Sequence, residues 1–419
     1  MPSRDTNLPA RPDSWKWVVC GLLLLASAIN YMDRQTLANA SVRITKEFRL
    51  DQAQYGQIEA VFAYSFAAGS LVFGWLSDRV SVRWLYAFIL AAWSAVGFAT
   101  SFAHDHGDLL HCRMLLGFFE AGHWPCGIRT TRALLSERDR SLGNGVLQSG
   151  TSVGAIVTPL VMNALMTPET GSWRLPFQVV GAAGVLWLVL WFGLLRDADL
   201  RPPASAVPAV GAGTETPSLW RIVFSRRMLV VFAMIACINT TWQILRAWLP
   251  KILQEGRGYP ESQALYFNSA WFAATDVGCL GAGLLAVWLV KRGWTVHGSR
   301  VLVFALCGAA CAACALVPLL GRGWMLLALL LLAGAGALGV FPIYHAFTQD
   351  LSAEHQGKIT GIAGVAGWVV PAQAQKLFGA LADRLGSFDR GIVLASGLPL
   401  LAALILWLFW NPRPKPIPR

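Results

Sequence analysis

The stretch from Arg113 to Pro125, RMLLGFFEAGHWP, places an arginine, a glutamate and a histidine inside a long apolar run. A second stretch of this kind, NYMDR at residues 30–34, lies in the first apolar run of the chain. A charge in hydrocarbon costs roughly 2.5–3.5 kcal/mol on insertion scales, so such residues usually face a protein interior or a water-filled path. The two stretches therefore predict a polar site inside a membrane protein.

The composition agrees with a chain that lies mostly in lipid. Of the 419 residues 55% are hydrophobic and only 14% are charged, and the mean hydropathy is +0.50, which excludes an ordinary soluble domain. Each apolar run is near the ~20 residues that a helix needs to cross ~30 Å of hydrocarbon. The runs cover residues 17–40, 56–76, 84–103, 109–135, 146–166, 175–195, 228–249, 265–290, 301–320, 324–347, 359–381 and 392–410. We expect an all-α membrane protein with about twelve transmembrane helices.

The net charge of +11 follows from topology rather than from binding to nucleic acid. If the N-terminus is cytoplasmic, most lysines and arginines fall on the cytoplasmic side, as the positive-inside rule requires. We therefore expect a multi-pass protein of the cell membrane with both termini in the cytoplasm, in the inner membrane if the source is a Gram-negative bacterium. The expected partners are the lipid bilayer and a small anionic substrate, and we expect a monomer.

The spacing of the runs divides the chain into two halves. Residues 1–195 and 228–419 each hold about six spans, which is typical of transporters built from two repeats around a central path. Residues 196–227 contain a Pro/Ala/Gly-rich stretch without apolar periodicity, LRPPASAVPAVGAGTETPSLW, and are predicted to be a flexible cytoplasmic linker. Two six-helix bundles around a central cavity are the predicted architecture.

The turn between the second and third spans carries a GxxxDRxxxR pattern, with Gly74, Asp78, Arg79 and Arg83 at its fixed positions. Gly74 would permit close helix packing, and Asp78 would pair with nearby arginines to form a conformational latch. This pattern resembles the signature loop of the major facilitator superfamily. An ordinary positive-inside loop is the alternative, and the corresponding turn at residues 286–292 lacks the aspartate.

Depth along the helices suggests which intramembrane charges meet. Arg113 and Asp33 lie ~8 Å and ~10 Å from the periplasmic ends of their spans, so an Asp33–Arg113 pair is expected. Arg34 is rotated by ~100° from Asp33 and is expected to remain free for an anionic ligand. Glu120 lies near the midplane without an evident partner and is expected to bind a proton, which His123 would share. His123 is also predicted to contact the substrate. A static polar network between helices is the alternative.

The segments NYMDR, RMLLGFFEAGHWP, NGVLQSGTSVGAIVTP (144–159) and GKITGIAGVAGW (357–368) together resemble the anion:cation symporter branch of the major facilitator superfamily, in particular its hexuronate and aldonate transporters. That resemblance implies a proton-coupled importer of organic acids.

The same resemblance implies roles for individual residues. Asp33 and Glu120 would carry protons, and Arg113 would exchange between a carboxylate and the substrate. Tyr31 and Arg34 would contact the substrate. Thr151 is a candidate substrate contact at a position where a relative places a glutamine. The resemblance therefore does not decide whether the fifth span contacts sugar hydroxyls.

The second half offers further candidates without deciding among them. Arg246 would either add a positive contact to the ligand or extend to the membrane surface. Asp276 is a third candidate coupling carboxylate or a cation ligand, and a hydrogen bond to a neighbouring helix explains it equally well. Five more residues are predicted to line the substrate path: Trp242, Gln243, Asn268, His345 and Gln375.

These patterns predict a secondary active transporter that imports an organic anion such as a hexuronate or aldonate by alternating access with protons. The alternatives are an exporter or facilitator of another small solute on the same fold and a sodium-coupled organic anion transporter. No nucleophile constellation, phosphate loop or cluster of metal ligands is evident, so an enzyme is not expected. No cofactor is expected beyond the coupling ion, which is a proton, with sodium as the alternative.

Overall fold

The structure, a computed structural model, describes residues 13–200, 219–351 and 356–410, and the secondary structure of these ranges is helical. The helices are α1 (Asp13–Glu47), α2 (Gln52–Ser77), α3 (Val82–Thr100), α4 (His106–Glu120), α5 (His123–Leu134), α6 (Glu137–Leu165), α7 (Arg174–Leu194), α8 (Leu219–Val223), α9 (Arg226–Lys251), α10 (Glu261–Lys291), α11 (Val296–Ala312), α12 (Trp324–Gln349), α13 (Gln356–Leu385) and α14 (Asp389–Phe409).

Ten of these helical segments are long and apolar enough to cross a membrane by themselves. The other two crossings are made by α13 and by the consecutive helices α4 and α5, so the predicted fold is confirmed. The predicted fourth span, residues 109–135, is interrupted at Ala121 and Gly122. Pro125 lacks the N–H that would bond the Ala121 carbonyl, which explains an interruption one turn before it.

The first bundle contains α1–α7 and the second contains α9–α14. At the end of the molecule that holds the α1–α2 turn (residues 48–51), one apolar core includes Ile44 and Tyr55 of the first bundle and Leu249 and Leu253 of the second. We call this the sealed end. Because buried side chains from both bundles fill this core, the described residues close the space between the bundles at this end.

The bundles separate toward the opposite end, which holds the α2–α3 turn. On α6, the Ile156 carbonyl accepts a hydrogen bond from Ser269 of α10, and Ser152 Oγ donates to Asp276 of α10 (both 2.8 Å). Gln148 and Gly145, on the next two turns of the same helix face, are exposed. A central cavity therefore opens toward this end, which we call the open end.

The predicted linker lies mostly outside the described residues, which resume at 219. Its first residues, Asp197–Leu200, form a single 3₁₀ turn. Asp197 accepts a hydrogen bond from Ser81 (3.0 Å). This part of the segment is therefore fixed against the first bundle.

Candidate functional site

Three arginines and two glutamates form a buried charged cluster between the bundles. Glu59 of α2 and Arg113 of α4 each lie seven residues from the sealed end of their helix, and Arg246 of α9 lies five residues from it. At ~1.5 Å per residue these positions are ~8–10 Å deep, so the three side chains meet at one level. Arg34 and Glu120 complete the cluster toward the open end.

Arg34 pairs with Glu120 rather than remaining free, so that prediction is wrong for this structure. Arg34 Nη2 and Nε donate to Glu120 Oε2 at 2.8 and 3.2 Å. Glu120 is fully buried and Arg34 is 6% exposed. Their pairing offsets the cost of removing two charges from water. Glu120 Oε1 has no hydrogen-bond partner among the described residues.

Aromatic rings surround the Arg34 guanidinium. Its central carbon lies 5.1 Å from the ring centroids of Phe62 and Phe66, 5.3 Å from that of Tyr31 and 5.5 Å from that of Trp368. Trp368 comes from the second bundle, in the segment that the sequence resemblance singled out. The rings exclude water and favour a cation over their faces, which strengthens any ionic contact that Arg34 makes.

Glu59 joins the two bundles, and sequence reasoning missed it. Its Oε1 accepts a hydrogen bond from Arg113 Nη2 and its Oε2 accepts one from Arg246 Nη2, both at 2.9 Å. All three residues are at most 2% exposed. Arg246 Nε also donates to Gln243 Oε1 (2.9 Å). Arg246 therefore does not extend to the membrane surface.

The expected ion pair between Asp33 and Arg113 is wrong. Asp33 is 1% exposed, and neither of its carboxylate oxygens has a hydrogen-bond partner among the described residues. The carboxylate instead faces α3 at Gly97, where an added Cβ would lie 2.5 Å from Asp33 Oδ1. Gly97 thus leaves the space that the carboxylate occupies.

His123 lies inside the first bundle and not at the predicted substrate path. Its Nε2 is 2.9 Å from Ser27 Oγ, its Nδ1 is 2.8 Å from Tyr86 Oη, and the residue is fully buried. Both ring nitrogens are satisfied by these hydroxyl groups. The side chain holds α1, α3 and α5 together, and it makes no hydrogen bond to Glu120, so the predicted shared proton has no direct route.

The predicted path-lining residues of the second bundle have different positions. Trp242 stacks on Trp271 with a centroid separation of 5.7 Å and belongs to the apolar core that includes the sealed end. Asn268 Nδ2 donates to Asn39 Oδ1 of the first bundle (2.8 Å). Gln375 is 2% exposed, accepts from the Trp248 indole and donates to the Gln243 carbonyl. Gln375 is therefore a packing residue within its bundle in this structure.

The remaining candidates lie nearer the open end. Asp276 accepts the hydrogen bond from Ser152, which realises the alternative of a bond to a neighbouring helix. Thr151 Oγ1 donates to the Gln148 carbonyl (2.8 Å) on its own helix, and the residue is half-buried. Tyr31 is also half-buried and makes an edge contact with Phe272.

The predicted latch does not form in this orientation. Arg83 pairs with Asp197 (3.8 Å), and Arg79 bonds the Trp75 carbonyl (3.2 Å), so neither arginine holds Asp78. Asp78 is exposed. A Cβ at Gly74 would meet open space, so the expected close helix packing there is wrong as well.

Comparison with known proteins identifies the family. The model of the Major Facilitator Superfamily matches residues 23–375. The chain belongs to this superfamily. It is therefore a multi-pass membrane transporter and not an enzyme.

Relatives of this transporter match along nearly its whole length. The D-galactonate transporter of Escherichia coli is 27% identical over 94% of this chain and 95% of its own. The probable sulfoacetate transporter SauU of Cupriavidus necator is 28% identical over 94% of each chain, and the hexuronate transporter of Escherichia coli is 23% identical over 95% of each. The predicted resemblance to sugar acid transporters is confirmed.

A solved structure supports the same fold. A bacterial homologue of the human lysosomal transporter Spinster, in an inward-facing and unoccupied conformation, superimposes with a TM-score of 0.77. The identity is 17%, and the match covers 96% of this chain and all of the other. At this identity the likeness concerns architecture alone.

Proposed function

We propose that this transporter imports a small organic anion of the sugar acid class together with protons. The observation that carries the proposal is the buried Arg34–Glu120 ion pair beside the cavity. A carboxylate substrate and the Glu120 carboxylate are chemically equivalent ligands for one guanidinium. They therefore compete for Arg34, and the protonation of Glu120 decides which one holds it.

The proposed cycle starts with the cavity open to the outside. A proton on Glu120 removes its charge and releases Arg34, which then binds the substrate carboxylate. The loaded, charge-compensated site allows the bundles to rock inward. Loss of the proton to the cytoplasm restores the Arg34–Glu120 pair and expels the acid. The pairing seen here corresponds to the state after release.

Asp33 supplies a second proposed proton site. A buried carboxylate without a hydrogen-bond partner is costly as an anion, so we assign it the neutral form in this state. The Asp33 carboxylate, on α1, lies against Gly97 of α3. A change in its charge would therefore alter how α1 and α3 pack. We therefore give Asp33 a coupling role and leave direct substrate contact to Arg34.

The test is uptake of radiolabelled D-galactonate and D-glucuronate into proteoliposomes with an inward proton gradient, in sodium-free buffer. Accumulation that an uncoupler abolishes is expected, with Arg34→Gln protein as the matched control that should not accumulate either acid. If uptake appears only after sodium is added, sodium and not the proton is the coupling ion. Equilibration without accumulation would indicate a facilitator, and absence of both uptake and counterflow by folded protein would refute the proposal.

A further inference from the structure

The Glu59 end of the charged cluster contains more hydrogen-bond donors than acceptors. One carboxylate serves both Arg113 and Arg246. Arg113 Nε and Nη1 and Arg246 Nη1 are buried and have no acceptor among the described residues. Buried donors of this kind are costly unless an acceptor reaches them. A second anionic group, with two or three oxygens, would supply the acceptors.

The charge of the cluster leads to the same requirement. Three arginines face two glutamates, so the cluster carries a surplus of one positive charge when all five residues are ionised. Protonation of Glu120, as in the proposed cycle, raises the surplus to two. With Asp33 neutral, a monoanion leaves one of these two positive charges uncompensated in a low-dielectric site, whereas a dianion balances both.

The separation of the arginines suits a short molecule. The guanidinium carbons of Arg34 and Arg113 each lie 5.1 Å from the ring centroid of Phe62, so they are no further apart than the sum of these distances. The terminal carbons of an extended six-carbon acid are roughly 6 Å apart, because each C–C bond is about 1.5 Å. One such molecule can therefore place an acidic group near each arginine.

From these observations we propose that the preferred substrate is a dianion with an acidic group at each end. One end binds Arg34 of the first bundle, and the other binds the pair formed by Arg113 and Arg246. Because Arg246 belongs to the second bundle, a dianion that also binds Arg34 links the two bundles through both of its ends and favours the occluded state. This inference rests on the proposed function and narrows its substrate class to dicarboxylates or sulfocarboxylates.

The experiment compares the binding of matched acids to purified full-length protein. D-galactonate and galactarate share a six-carbon polyol chain and differ in the number of carboxylates, and D-gluconate and D-glucarate form a second pair of the same length. The protein is reconstituted, and the apparent affinity of each acid is measured as its inhibition constant in counterflow of a labelled acid. We expect the dianion of each pair to bind at least about tenfold more tightly, as loss of one charged hydrogen bond predicts.

Arg246→Gln should reduce the ratio of galactarate to galactonate affinity about tenfold, because glutamine keeps a donor for Glu59 but not the charge. Arg246→Lys should retain part of the preference. Arg257→Gln is the control, since Arg257 pairs with Asp389 (2.6 Å) in the same bundle but outside the cluster, and the ratio should stay unchanged.

The outcomes separate this inference from the proposed function. Equal affinity for one- and two-charge acids, with no effect of Arg246→Gln on their ratio, would overturn the dianion while leaving acid transport intact. If neither acid of either pair competes, the proposed function itself fails. The comparison of acids on the unmodified protein stands even if a variant does not fold.

Discussion

At the scale of single residues, the site consists of exchangeable ion pairs. Each arginine of the cluster is held by a glutamate, and Arg34 has only Glu120 as its acidic partner among the described residues. Breaking a buried pair by removing one partner leaves an uncompensated charge, which costs about 3–5 kcal/mol. A cycle that instead exchanges one carboxylate for another avoids this cost.

Glu120→Gln tests that exchange. Glutamine retains an oxygen that accepts from Arg34 but cannot take up a proton, so we expect loss of proton-driven accumulation while counterflow persists. Both activities are measured on the same proteoliposomes. Asp389→Asn, which alters a carboxylate paired with Arg257 inside the second bundle, is the control for general damage. Loss of both activities in normally folded Glu120→Gln protein, or retention of accumulation, would contradict the coupling role.

Gly97→Ala tests the placement of Asp33. The added Cβ would lie 2.5 Å from Asp33 Oδ1, so the carboxylate must move, and over-packing of this kind costs about 1–3 kcal/mol. We expect a lower melting temperature in detergent and reduced proton-driven uptake. Gly193→Ala on α7 is the matched control because a Cβ there meets no atom within 4 Å. Wild-type coupling in Gly97→Ala protein would separate Asp33 from the transport cycle.

The sequence identified five of the six buried charges that matter, with the role of Arg246 left open, but not their partners. Asp33, Arg34, Arg113 and Glu120 were evident because a charge in an apolar run is costly. Glu59 in GQIEAVF meets the same criterion, but its position near the start of its apolar run makes it a weaker signal. Partner choice depends on helix rotation and tilt, which spacing along one helix does not determine.

At the scale of helices, the sealed end depends on a cap that crosses between the bundles. Asp383 of α13 accepts hydrogen bonds from the backbone N–H groups of Gln52 and Ala53 (3.0 and 2.8 Å) at the start of α2. Asp51, in the same bundle as α2, caps the same helix through Gln54 (2.7 Å). A carboxylate at a helix N-terminus is favourable, so Asp383 stabilises closure of this end.

Asp383→Ala should therefore open the sealed end more often. Loss of about 1 kcal/mol of stabilisation would shift the equilibrium between the closed and open states of this end about fivefold. The readout is labelling of Ala247→Cys by a thiol reagent in a background without the eight native cysteines, since Ala247 is fully buried at this end. Asp51→Ala removes a cap from the same helix without breaking a contact between bundles, and its labelling should match the parent. Equal labelling in all three proteins would exclude Asp383 from closure.

Helix number and type were predictable because hydropathy reports the crossing of a bilayer directly. The interruption of the fourth span was harder to predict, although Gly122 and Pro125, three residues apart, are a recognisable signal for a kink. The latch pattern was recognised, but its contacts depend on the orientation of the bundles. A sequence pattern encodes all orientations of a transporter, whereas one structure shows the contacts of a single orientation.

At the scale of the whole molecule, the remaining question is which side of the membrane the open end faces. The turns at the open end carry most of the basic residues, including Arg79, Arg83 and Arg292. By the positive-inside rule we propose that this end is cytoplasmic. The structure is then inward-open, and the sealed end with its ion pair between Arg43 and Glu261 (2.5 Å) faces outward.

Labelling of single cysteines from each side of the membrane tests this assignment. Gly145 is exposed on the cavity face of α6, and a Cβ there meets no atom within 4 Å, so Gly145→Cys should fold normally. We expect an impermeant maleimide to label it in inverted vesicles but not in intact cells. His104→Cys, exposed in the α3–α4 loop beside the sealed end, should show the opposite pattern. Labelling of Gly145→Cys from outside, with His104→Cys protected there, would reverse the topology and make the proposed import cycle an export cycle.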